Sequence, residues 1–252
     1  MSRYAPHVCA LASLASLATA AVAGPSRPAI GMGALAMAVI VALLPARVHT
    51  RATRELNRLV ALLLAAMLLG GPWQLSMVIA VGLFVAGSRG RTVREALGWS
   101  RGRVPLLPTV IVAGVTPLAL VTWLLVMQPD LSDVIEGYVP DLPLSLLIVG
   151  AVGFVLVNAV FEEVIWRGVL QDRLCVTLGH RAAVVLQAAS FGLQHAHGVP
   201  RGVVGVLMAF AWALMLGWLR RRADGLLAPI LAHVVADATI AAIVFSLIAA
   251  KS

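Results

Sequence analysis

Apolar residues run in long blocks along this chain, and polar residues collect in the short gaps between them. Nine apolar segments stand out, at about 8–24, 29–46, 57–71, 72–88, 106–127, 143–170, 181–198, 202–219 and 226–249. Blocks of this length, with no apolar/polar alternation, predict membrane-spanning α-helices and speak against a β-barrel. The third and fourth segments run together as LVALLLAAMLLGGPWQLSMVIAVGLFVAG. As one helix they would need ~45 Å of hydrocarbon at about 1.5 Å per residue, too much for a bilayer. The turn residues GGP at 70–72 split them. One long span plus an interfacial piece is the other arrangement. The expected fold is therefore an all-α, polytopic transmembrane helix bundle of eight or nine spans.

Composition agrees: of 252 residues, 61% are hydrophobic and only 12% charged, too little polarity to coat a soluble domain of this size. A net charge of +8 could suggest a nucleic-acid partner, but the arginines sit in short loops, where they set topology. With the N-terminus in the cytoplasm, fifteen of the 19 Lys and Arg residues fall on the inner side, Arg220, Arg221 and Arg222 among them. Three fall outside (Arg27, Arg201 and Lys251), and Arg167 lies within the sixth segment. The acidic loop 128–142, without Lys or Arg, also falls outside. The bilayer is the expected partner, and nucleic acid is not. Arg-rich, Ala-rich usage with one lysine suggests a GC-rich bacterium, hence its inner membrane. The first segment, CALASLASLATAAVAGP with Ala21-Val22-Ala23, has the look of a cleavable signal peptide, though only Arg3 makes an n-region. An uncleaved first span is the expectation, and cleavage would leave every later orientation unchanged. Cys9 and Cys175 lie in different segments at no metal-ligand spacing and read as buried small hydrophobes.

Ionisable groups within a span are costly and so usually face a cavity and carry a role. The first five segments hold almost none. The sixth holds Asn158, Glu162, Glu163 and Arg167; the seventh Gln187, Gln194, His195 and His197; the ninth His233 and Asp237. Residues 143–249 are therefore the expected working core, and 1–142 the expected scaffold. Residues four apart share a helix face, which pairs Asn158 with Glu162, and Glu163 with Arg167. Adjacent residues diverge by about 100°. The two glutamates are then expected to act differently: Glu163 held by Arg167, Glu162 pointing into a cavity. Phe191 and His195 share a face, as do His233 and Asp237. Three helices can thus bring Glu162, His195, His233 and Asp237 together. Such a set suits hydrolysis, with Glu taking a proton from water and His returning it, or a divalent metal such as zinc holding an activated water. His197 lies off the His195 face and reads as interfacial. Trp73, Trp99 and Trp218 read as interface anchors, and Trp166 is placed to wall the cavity.

Three motifs, EEVIWR at 162–167, FGLQH at 191–195 and HVVAD at 233–237, resemble the EExxxR, FxxxH and HxxxN pattern of the CPBP family. That family of intramembrane proteases includes the type II CAAX-prenyl endopeptidases and bacteriocin-processing or immunity proteins. The resemblance spans roughly 143–249. It implies a membrane-embedded endopeptidase acting on membrane-associated proteins or peptides. In that reading Glu162 activates water with His195 as its partner, His233 and the residue four later form the oxyanion side, and Glu163 and Arg167 support. Family members are described both as metalloproteases and as metal-independent glutamate proteases. Asp237 departs from the pattern. An ionised Asp cannot donate a hydrogen bond to an oxyanion as Asn does, although a protonated one could, and a metal could use it as a ligand. An inactive scaffold or immunity protein is the alternative. A transporter fits less well, because the polar residues bunch on three late helices rather than two related halves. Counted from the inner ends of the segments, Glu162 lies ~12 Å deep, His233 ~10 Å and His195 ~21 Å. A common site needs them level, so a tilted or overhanging seventh helix is expected, or else shifted boundaries.

Overall fold

The computed structural model describes residues 4–24, 27–45, 49–69, 72–132, 136–137 and 139–249. Gly70 and Gly71 of the expected turn, Arg3, Arg47 and Lys251, and residues 133–135 and 138 of the acidic loop lie outside the described residues. The described residues contain helices and no strand.

Local sequence sets the helix ends. Helix α1 (Ala5–Ala23) starts with a proline in its first turn and stops at Gly24, whose φ of 64° suits glycine. Helix α2 (Pro28–Leu43) also begins on proline. Helix α3 (Arg51–Leu68) is capped by the Thr50 side chain, which accepts from the Thr53 amide. Helix α4 (Trp73–Ala86) follows, then the short α5 (Val93–Ala96) with a Thr92/Glu95 capping box. Helix α6 is Leu106–Met127 and α7 is Leu144–Glu163. The chain continues helically through a π-helical stretch, Val164–Leu170, into α8 (Gln171–Leu178), and breaks at Gly179. Then come α9 (His180–Gln194), a 3₁₀ turn at His195–His197, α10 (Gly202–Ala223) and α11 (Leu227–Ala249).

Among the described residues, five helical runs are long and apolar enough to cross a bilayer: α1, α6, the run 144–178, α10 and α11. Helices α2 and α4 are apolar but shorter. The polar first turns of α3 extend it back to Arg51, ahead of the apolar segment expected from 57. The sixth segment, expected to end at 170, stays helical to 178. The seventh, expected to 198, gives up its α-helix at Gln194.

The core sits where the front and back of the chain meet. Leu56, Leu59 and Leu63 of α3 and Phe84 of α4 pack with Ile165, Trp166, Val169 and Leu170 of the π-helical stretch and with Phe191 of α9. Helix α11 packs on α6 and α7, and α9 on α10. The first half of α7 is the opposite case: Leu144, Leu146, Ile148, Val149, Val152 and Leu156 are all exposed. Continuous exposed apolar surface of this kind is what lipid covers, so the chain is an integral membrane protein.

One backbone contact positions the site. The loop after α5 tucks beneath the π-helical stretch, where a Cβ on Gly98 would collide with the Gly168 carbonyl and one on Gly168 with the Leu97 carbonyl. Only paired glycines allow that approach, and Gly98 also needs its φ of +59°. The same loop anchors the start of α11, with the Leu226 amide donating to the Ser100 carbonyl at 2.8 Å. Helix α11 therefore begins recessed into the protein, level with Gly168.

Candidate active site

The three motifs meet at one buried cluster. Glu163 and Arg167 are fully buried and paired, with Arg167 NH1 donating to Glu163 Oε1 at 2.8 Å. The Phe191 ring lies under the Arg167 guanidinium, 4.6 Å from ring centre to Cζ. Glu163 Oε1 also accepts from His233 Nδ1 at 2.7 Å. That bond fixes Nε2 as the nitrogen turned inward, and it faces Glu162 Oε2 at 3.5 Å and Asp237 Oδ1 at 3.7 Å. The adjacent glutamates, expected to diverge, thus approach opposite nitrogens of one imidazole. Glu163 is the held carboxylate of the pair. Both Glu162 Oε2 and Glu163 Oε2 lack a hydrogen-bond partner among the described residues, but it is Glu162 Oε2 that faces His233 Nε2.

Helices outside the motifs complete the cluster. Trp73, at the start of α4, donates from Nε1 to Glu162 Oε1 at 3.1 Å. Gln74 Nε2 donates to Asn158 Oδ1 at 3.2 Å, and Asn158 Nδ2 donates to Asp237 Oδ2 at 3.1 Å. A chain of amides therefore runs from α4 through α7 to α11 and holds the Asp237 carboxyl. Trp212 of α10 stands edge-on to His233, ring centres 4.7 Å apart. Trp166, fully buried, packs against both Trp73 and Phe191. Trp73 reads from sequence as an interface anchor, and Gln74 and Trp212 carry no signal at all. All three touch the site only because the fold brings distant segments together.

His195 lies beside this cluster at the end of α9, half-buried, its ring 4.6 Å from that of Phe191. Its Nδ1 donates to the Phe191 carbonyl at 3.0 Å, which leaves Nε2 as the free basic nitrogen of the neutral ring. His197 is elsewhere, with Nε2 3.2 Å from the Val22 carbonyl. Gln187 ties α9 to α10 through the Ala213 carbonyl.

The depth mismatch comes from helix boundaries. With the run extended to Leu178, Glu162 stands 16 residues, or ~24 Å, from its C-terminal end, and His195 stands ~22 Å from the start of α9. His233 is only ~9 Å into α11, and that helix starts recessed. No overhanging seventh helix is needed. Among the described residues, no three His, Cys, Asp or Glu side chains are disposed to hold a metal ion.

Residues 144–239, which include all three motifs, match the family model of the type II CAAX prenyl endopeptidase Rce1-like proteins. This part of the chain is thus similar to the CPBP family, as its motifs suggest. No curated protein and no solved structure matches the chain. The matched stretch begins with the exposed half of α7 and ends two residues beyond the last site residue, Asp237.

Proposed function

We propose that this protein is a membrane-embedded endopeptidase that hydrolyses peptide bonds of membrane-associated proteins or peptides, with Glu162 as general base. The observation that carries this reading is Glu162 Oε2: a buried carboxylate oxygen without a hydrogen-bond partner among the described residues, 3.5 Å from the His233 Nε2 nitrogen. Buried acceptors are normally paired, and an unpaired one beside a histidine is poised to accept a proton from water. Trp73 holds the other oxygen and so fixes the direction of the free one.

In the proposed reaction Glu162 takes a proton from water, and the hydroxide adds to the scissile carbonyl. Glu162 then returns that proton to the departing amine, directly or by way of the basic Nε2 of His195, and His233 steadies the oxyanion when its Nε2 also carries a hydrogen. Glu163 and Arg167 orient His233 and do not touch substrate. CAAX-type proteins and leader or bacteriocin-type peptides are the substrate classes proposed, by analogy with the family. The bacterial inner membrane is the proposed location. No step is routed through a metal.

The test uses the full chain in proteoliposomes with lipid-anchored fluorogenic peptides of both classes. Glu162→Gln keeps the oxygen that accepts from Trp73 but removes the base, and should lower the turnover rate by at least about 100-fold. Wild-type turnover equal to that of Glu162→Gln on every peptide would favour the non-catalytic scaffold. Asp237 is the feature that supports this second reading, since an ionised carboxylate beside a developing oxyanion repels it. Asp237→Asn restores a donor there and should raise turnover. A fall in turnover would show that the Asp237 carboxylate itself is required.

A further inference from the structure

Away from the site, the start of α3 and the end of α4 border an open cavity of about 260 Å³ lined by Arg51, Arg54, Glu55, Arg58, Arg89 and Arg91 with Gly87 and Ser88. Five arginines against one glutamate leave four positive charges on its walls. The glutamate is already engaged, by Arg51 at 3.2 Å, Arg91 at 2.6 Å and Arg173 of α8 at 2.7 Å. Arg58 is fixed at the wall, donating to the Leu83 and Phe84 carbonyls at the end of α4. The guanidinium groups of Arg54 and Arg89 are exposed and have no ion pair or hydrogen bond among the described residues.

We propose that this cavity binds the phosphate headgroup of an anionic phospholipid. Arginine forks fit phosphate oxygens in pairs, and an anion would relieve the repulsion among five like charges. Basic pockets between helices at a membrane surface are suited to lipid headgroups. The choice of a lipid over free phosphate rests on α4. From the cavity rim, the exposed Leu83, the half-buried Ile79 and the exposed Leu75 follow one another at four-residue spacing up one face of this helix, a track along which an acyl chain can lie. The cavity is therefore polar where a headgroup sits and apolar where a tail leaves it.

The probe is phosphatidylglycerol, with phosphatidylcholine as the zwitterionic reference. Full-length protein in nanodiscs of each composition is compared by native mass spectrometry for retained lipid and by melting temperature. Wild type should retain phosphatidylglycerol selectively and melt higher with it. Arg54→Gln/Arg89→Gln removes two unpaired charges, so folding is preserved, and should lose about tenfold or more of that selectivity. Arg94→Gln, an exposed arginine at the same end but outside the cavity, should lose none. Equal losses in the two variants, or wild type without selectivity, would overturn the proposal. Inorganic phosphate in excess should fail to displace the lipid. Displacement would assign the cavity to free phosphate and overturn the lipid assignment.

Discussion

Glu163 carries two buried charge-assisted bonds. It holds the Arg167 guanidinium and the His233 Nδ1 hydrogen on a single oxygen, with all three side chains at most 2% exposed. Two Arg167 nitrogens, Nε and NH2, already lack partners among the described residues. Glu163→Gln would leave a buried cation without its counter-charge, a loss of about 3–5 kcal/mol. Thermal unfolding in detergent should show it, and adding Arg167→Met should recover part of it, because the stranded charge is then gone. A single variant that melts like wild type would mean that Arg167 finds another anion. The pairing of Glu163 with Arg167 is legible in sequence, because four residues make one helical turn. The meeting of both glutamates on His233 is not, because a helical wheel shows where side chains leave one helix and not what stands between them. Trp73 lies 89 residues from Glu162, and no local pattern marks a tryptophan at a helix start as a hydrogen-bond donor to a carboxylate.

At the scale of elements, all nine apolar segments are helical, and the errors are at their ends. Hydropathy falls where charges begin, but helices α3 and α8 continue through charged turns because those turns are paired with each other. Glu55 of α3 accepts from Arg173 of α8 at 2.7 Å and from Arg91 at 2.6 Å, and Arg173 also reaches the Glu95 and Ala96 carbonyls and Asp172. This hub, outside the apolar stretch of α3, joins the front helices to the run that carries the site. Burial pushes the Glu55 carboxyl up, but Arg173, Arg91 and Arg51 outweigh it and hold it below the ordinary glutamate value. A depressed folded value means that the stabilisation is full at pH above the unfolded value, about 4.3, and fades as pH falls through the folded one. Glu55→Gln should therefore melt below wild type at neutral pH, and the gap should close in acid below about pH 4. A gap of constant size across that range would show that the charge on Glu55 contributes nothing.

Across the whole molecule it is the charges that set a direction. The arginine-rich turns gather at the end where α3 begins, α4 stops and α8 runs out, while α7 starts from the acidic loop at the other. The fold class was readable because a bilayer demands long apolar helices, and the motif helices because buried ionisable groups are rare. The depth of each helix was not, since it depends on the recess under α11 formed by Gly98 against Gly168, a contact between backbones that hydropathy does not register. The charge asymmetry predicts that the loop bearing Arg94 faces the cytoplasm and the loop bearing Asp141 faces outward. Both positions are exposed, so single cysteines report on them directly. In a background of Cys9→Ala and Cys175→Ala, Asp141→Cys should react with a membrane-impermeant maleimide on intact cells. Arg94→Cys should react only after the membrane is opened. The reverse pattern would invert the bundle and place the arginine-lined cavity in the outer leaflet. The site itself would stay where it is, because Glu162 lies near the middle of the 144–178 run and is about equally far from either end.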